Sequence, residues 1–268
     1  MKKLLILGAS GLVGRALVEQ CRHDFDVYGT YFSSSVNLPE HKQFYLDLEP
    51  ETLLHILQSV QPDIVVSGLQ GDYRKQLALH KALAEFLQHS ATPLYFISTT
   101  NVFDGDLTRH HIESDTPISK SDYGKFKIAR EKMLQESLQE RCCIVRIPGI
   151  WGKDCPRLRK LQGDIAANKP IKPYSNLQWS FLLDTQLAKQ LHYIMENDLT
   201  GIIHLGATDM LTDSAFYEQL LPEQATLEPV PYENAESTYY FGLKTEQPNR
   251  LPSDLYITNA QIVAALTA

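Results

Sequence analysis

Gly8-Ala9-Ser10-Gly11-Leu12-Val13-Gly14 follows the apolar run Leu4-Leu5-Ile6-Leu7 and opens a stretch in which Leu12, Val13, Ala16 and Leu17 keep a 3.6-residue period. Strand, glycine turn and helix thus occur in one order. A turn of that kind lets backbone N–H groups approach a pyrophosphate at a helix N-terminus. The spacing is G-x-x-G-x-x-G, and its context makes Gly8, Ser10, Gly11, Leu12, Val13 and Gly14 candidate dinucleotide-binding residues.

Outward from this turn, strand-length apolar runs alternate with helical patterns through the first 150 residues. Strands are expected at Lys3 to Gly8, Val27 to Tyr31, Phe44 to Leu46, Pro62 to Val66, Leu94 to Ser98 and Cys142 to Ile147. A long helix carries Leu79, Leu83, Phe86 and Leu87 on one face, and a charged amphipathic helix spans 122–139. This pattern predicts an α/β protein with a Rossmann-type, doubly wound parallel sheet of five or six strands. Residues 1–150 form the nucleotide-binding domain in this reading. Residues 151–268 form a smaller substrate lobe, with about 176–205 returning to the sheet and Ile202 to Leu205 as a strand. The Pro- and Tyr-rich stretch from Leu221 to Pro252 reads as irregular cover over a cleft.

Composition narrows the function classes. The 268 residues are 43% hydrophobic and 21% charged, which suits a folded enzyme or binding protein. A formal charge of −7 opposes general nucleic-acid binding, which needs a basic stripe. The first apolar run is too short and too soon broken by glycine for a signal peptide or a membrane span, so a cytoplasmic location is expected. Cys21, Cys142, Cys143 and Cys155 lack C-x-x-C spacing and read as reduced structural thiols. The nine histidines show no ligand spacing on a helix, so no catalytic metal is expected.

The end of the second strand discriminates between nicotinamide cofactors, because an acid there accepts hydrogen bonds from an unphosphorylated ribose. The residues present are Gly29-Thr30-Tyr31-Phe32-Ser33-Ser34-Ser35. With no acid there, and with hydroxyls and Arg15 nearby, NADP(H) is favoured over NAD(H). Thr30, Tyr31 and Ser33 join the candidate cofactor contacts.

Tyr123 and Lys127 lie four apart at the start of the charged helix, so they share a face, where a cation lowers a phenol's pKa. A second such pair, Tyr240 and Lys244, falls in the irregular tail and reads as incidental. Only the first follows a strand that ends in hydroxyls, Ser98-Thr99-Thr100. Carbonyl reduction by a nicotinamide requires that combination: a hydroxyl to position the carbonyl, a phenol to donate the proton, and a lysine to hold the ribose.

Taken in order, these residues resemble the extended short-chain dehydrogenase/reductases, and within them the dTDP-4-dehydrorhamnose reductase group. The resemblance spans nearly the whole chain. It is carried by the glycine turn, Ser98 to Gly105, Glu113 and Asp115, Tyr123-Gly124-Lys125-Phe126-Lys127, and Gly201 to Leu205. It implies catalytic roles for Thr99, Tyr123 and Lys127. It also implies cofactor contacts from Tyr123, Lys127, Asp47, Leu48, Ser67, Gly68 and Ile147, and a substrate wall of Thr100, Asn101, Val102, Phe103, Gly149 and Trp151. Thr100-Asn101 stands where the group shows Asp-Tyr, and Gly149 stands where it shows an aromatic, so the identity of the sugar is the most altered feature. The implied activity is NADP-dependent reduction of a keto group on a nucleotide-linked sugar, possible as a homodimer. A sugar epimerase of the same superfamily is one alternative. Another is a non-catalytic NADP-binding regulatory subunit, since a subunit of methionine adenosyltransferase is similar to this reductase group.

Overall fold

The computed structural model describes residues 1–268. The elements, in chain order, are β1 Lys3–Leu7, α1 Leu12–Cys21, β2 Asp26–Tyr31, β3 Gln43–Tyr45, α2 Pro50–Val60, β4 Ile64–Ser67, α3 Tyr73–Gln88, β5 Leu94–Thr99, α4 Asp122–Leu138 and β6 Cys142–Ile147. There follow β7 Gly149–Trp151, α5 Pro156–Ala166, β8 Leu177–Trp179, β9 Phe181–Leu183, α6 Asp184–Glu196, β10 Gly201–His204, β11 Leu211–Thr212, α7 Asp213–Leu220, β12 Tyr239–Phe241 and α8 Asn259–Thr267.

Seven strands form one parallel sheet in the order β10-β6-β5-β4-β1-β2-β3, the six runs of the first 150 residues joined by β10, the strand expected from Ile202 to Leu205. Its strands are apolar on both faces, as a sheet covered by helices on both sides requires. Leu4 and Ile6 of β1 face a core built with α1 and α6, whereas Leu5 and Leu7 face a second core built with α2, α3 and α4. The alternation follows from the two-residue period of a strand. Helix α2 has no counterpart among the predicted elements, although Leu53, Ile56, Leu57 and Val60 form its buried stripe and Pro50 occupies its first turn.

The segment 176–205, expected to return to the main sheet, divides. Strand β10 pairs in parallel with β6, and α6 packs on α1. Strand β8 instead pairs with β11 and β12 in a separate three-stranded sheet, and β9 pairs with β7. The four cysteines are free and buried. No helix is long and apolar enough to cross a membrane.

The strand order reverses direction on either side of β1 and β4, which creates a crevice at their carboxyl ends. The loops after β1, β4 and β5 therefore converge with the first turn of α4.

Candidate active site at the carboxyl edge of the sheet

Gly8 adopts φ +87°, a left-handed conformation in which a side chain is strained, and its N–H donates to Thr30 Oγ1 at 2.9 Å. A Cβ on Gly14 would stand 2.3 Å from Gly8 O and 2.6 Å from Ala9 Cα, so glycine alone lets α1 approach β1 this closely. No side chain caps α1 at Gly11, which leaves its first-turn N–H groups to an anion. Turn and uncapped helix thus fit the pyrophosphate of a dinucleotide. Ser10, Leu12 and Val13 are half-buried beside them.

The remaining candidate cofactor residues gather along the same edge in two ways. Ser33 is exposed, and Tyr31, Asp47, Leu48 and Gly68 are half-buried at the rim. Thr30, Ser67 and Ile147 are buried instead, and the hydroxyls of the first two are engaged, by Gly8 N–H and by His80 Nε2 at 2.8 Å. Arg15, expected to meet a 2′-phosphate, donates to Ser10 O at 2.7 Å.

Thr99 ends β5 and caps a short helical turn at 100–103, accepting from Asn101 N at 3.3 Å and donating to Asn101 Oδ1 at 3.0 Å. Tyr123 lies in the first turn of α4. Ser121 caps that helix through Gly124 N at 3.0 Å, and the Asp104 carboxylate holds Ser119 Oγ and Lys120 N, both at 2.6 Å. A Cβ on Gly124 would meet Asn101 O at 2.2 Å, so this glycine lets α4 begin directly against the turn that follows Thr99. Lys127 is buried, donates to Ile97 O at 2.8 Å, and holds its ammonium 5.9 Å from the Tyr123 ring centroid.

The structure therefore brings Thr99, Tyr123 and Lys127 together. Burial raises the Tyr123 phenol above its ordinary pKa, while the neighbouring Thr99 hydroxyl and the charge of Arg130 act in the opposite direction. Burial, reinforced by Arg130, pushes the Lys127 ammonium down to about 7. A cavity of about 320 Å³ opens beside the pair, lined also by Leu69, Gln70, Gly71, Tyr73, Gln76 and Phe126.

Tyr73, Gln76, His80 and Arg130 escape the sequence reading. Asp72, whose carboxylate accepts from Arg74 N and Lys75 N, signals the true start of α3 and would have placed Gln76 and His80 on its inner face with Leu79 and Leu83. Nothing in the sequence pairs that face with α4.

The expected substrate wall needs correction. Thr100 is buried and donates to Ile147 O at 3.3 Å, while Val102 and Phe103 turn into a small core with Leu243. Phe103 stacks on His111 with ring centroids 4.3 Å apart. Trp151 is 0% exposed, packed against Phe181 and Phe216 as core of the smaller lobe. The helical turn at 100–103 and the pairing of β7 with β9 direct these side chains inward. Asn101 and Gly149 remain half-buried, and a Cβ on Gly149 would stand 2.9 Å from Arg157 Nη1.

Below the site, Arg146 Nη2 donates to Glu131 Oε2 at 2.7 Å, Glu131 also accepts from Ser98 Oγ, and Arg146 Nη1 lies 3.3 Å from His204 Nε2. Glu113 accepts from His204 N at 3.0 Å and Glu246 N at 2.8 Å, tying the tail to β10.

The family described as the RmlD substrate binding domain matches residues 1–238. Methionine adenosyltransferase 2 subunit beta of Rattus norvegicus is 29% identical over 164 residues, covering 57% of this chain and 48% of that protein. The chain's match thus spans about half the length of that relative. The probable low-salt glycan biosynthesis reductase Agl14 of Haloferax volcanii is 21% identical over 236 residues, 80% of this chain and 78% of the relative. The crystal structure of dTDP-4-dehydrorhamnose reductase from Bacillus anthracis in complex with NADP superimposes with a TM-score of 0.81 at 17% identity, covering 99% of this chain and 98% of that one. At that identity the superposition shows a shared fold.

Proposed function

As this chain belongs to the RmlD substrate binding domain family, we propose that it is an NADP-dependent reductase of a keto group on a nucleotide-linked sugar. The observation that carries the reading is the cavity lined by both Tyr123 and Lys127, next to the turn after Thr99 against which α4 begins and to the Leu69 backbone that Gly8 approaches. The cofactor would lie on Gly8 to Gly14 and against Lys127, and supplies a hydride to the carbonyl carbon when bound.

The chain's own residues supply the rest. Thr99 orients the carbonyl oxygen, and Tyr123 Oη gives that oxygen its proton as the negative charge develops. Lys127, fixed by Ile97 O, holds the ribose and biases the phenol toward proton loss. The missing acid at the end of β2 supports NADP(H), and so does the NADP bound by the similar Bacillus anthracis reductase. The experiment is NADPH consumption with a panel of nucleotide keto sugars, preceded by a thermal-shift screen with NADPH present. Turnover of any of them supports the reading.

A second reading, a non-catalytic cofactor-binding subunit, is favoured by the similarity to methionine adenosyltransferase 2 subunit beta and by the inward turn of Thr100, Val102 and Phe103. Stabilisation by a partner protein but by no nucleotide sugar would replace the first reading with this one.

A further inference from the structure

Arg130 is 0% exposed and lies one helical turn beyond Lys127 on α4. Its guanidinium rests 3.7 Å from the Phe126 ring centroid and 5.3 Å from that of Phe96, the same ring against which the Lys127 ammonium lies at 4.8 Å. Two cations therefore share one aromatic neighbour beneath the cavity.

The partners of Arg130 are all neutral. Nη1 and Nη2 donate to Gln76 Oε1 at 2.9 and 3.0 Å, and Nη1 lies 3.0 Å from His80 Nδ1. His80 is wholly buried and its imidazole is pushed down to about 3, so it is uncharged at neutral pH. Glu131 is spent on Arg146 and Ser98. Arg130 Nε has no hydrogen-bond partner at all. A buried cation without a counter-ion is costly, and such a group persists where a neighbouring site uses its field. The groups facing Tyr123 are Tyr73 from α3, Lys127 and Arg130 from its own helix, and the Thr99 hydroxyl from β5. No carboxylate stands among them. The anion left to complement Arg130 is the phenolate that Tyr123 becomes on proton transfer.

We propose that Arg130 is a positioning residue: a permanent buried cation, held by Gln76 and stacked on Phe126, that stabilises the Tyr123 phenolate alongside Lys127. The proton leaves Tyr123 Oη for the carbonyl oxygen and its electron pair stays on the phenol, where two positive charges are already oriented. Arg130 cannot lose its own proton under working conditions, so its contribution persists where Lys127 becomes neutral. The role in turnover rests on the reading of Tyr123 as proton donor, but the electrostatic coupling is measurable without substrate.

The test is direct titration of Tyr123 by NMR on protein carrying 13C-labelled tyrosine, with Tyr123→Phe assigning the resonance among the 13 tyrosines. Arg130→Met removes the charge. Gln76→Glu leaves Arg130 in place and neutralises it with a carboxylate, so it decides the matter if Arg130→Met does not fold. Both variants are expected to move the Tyr123 midpoint to higher pH by about half a pH unit or more, and Arg130→Lys to keep it near the native value. The Lys127 midpoint moves upward in the same two variants, because a like charge has been removed in one and offset by a carboxylate in the other. An unmoved Tyr123 midpoint in a folded Gln76→Glu protein overturns the proposal. Failure of the reductase reading would show differently, as absent turnover with the midpoint shift intact.

Discussion

Arg130 and Glu131 are consecutive in α4, yet their charges turn to different partners. The guanidinium meets Gln76 and His80 of α3, and the carboxylate meets Arg146 of β6 at 2.7 Å. Their side chains are among the most buried of the molecule. The inner stripe of α4 thus holds Lys127, Arg130 and Glu131 as well as Leu134 and Leu138, which is why its apolar periodicity is weak in the sequence.

Breaking the buried pair is expected to cost stability directly. Glu131→Ala leaves Arg146 charged and unpartnered and should lower unfolding free energy by about 3–5 kcal/mol. A Glu131→Leu/Arg146→Met double variant should recover much of that loss. Urea denaturation of Glu131→Leu, Arg146→Met and the double variant measures the coupling, and additive losses would show that the pair is not a unit.

Tyr123→Phe should abolish carbonyl reduction while NADPH affinity stays nearly unchanged, because only the transferable proton is removed. Lys127→Ala should impair both. Tyr240→Phe should behave like the native protein. Undiminished turnover by Tyr123→Phe would unseat the assignment.

Trp151 is expected to act through stability, not substrate recognition. Trp151→Ala empties the packing between Phe181 and Phe216 and should cost about 3–5 kcal/mol. The measurement is the unfolding midpoint beside the KM for substrate; an unchanged midpoint with a raised KM would return Trp151 to the substrate wall.

Acid should weaken the fold through His80. Its folded pKa is depressed to about 3, below the unfolded value near 6.5, so the unfolded chain binds the extra proton between these limits. The stabilisation is full above about pH 6.5 and is lost as pH falls, by roughly 1.4 kcal/mol per pH unit for this one group. His80→Gln should flatten that part of the pH dependence in denaturation curves measured from pH 7 to 4.5. An unaltered slope would exclude His80 as its source.

NADPH should bind more tightly than NADH, since no acid stands at Thr30 to Phe32 and the Ser33 to Ser35 loop is exposed. Arg15 must then leave Ser10 O to reach a 2′-phosphate, so Arg15→Ala should erode the preference. Fluorescence titration of both cofactors decides it, and equal affinities would remove the preference while leaving the glycine turn its role.

The sequence by itself determined what depends on neighbours along the chain. The glycine turn between β1 and α1, the six strands β1 to β6, and the shared face of Tyr123 and Lys127 all follow from local period and sterics. Only the tertiary structure decided which faces meet. The pairing of β4 with β5 sets α3 beside α4, so that residues 76 and 130, distant in sequence, share a hydrogen bond; the pairing of β7 with β9 buries Trp151. Helix and strand periods report whether a side chain points inward. They carry no information on what it finds there, because that depends on the order in which strands join the sheet.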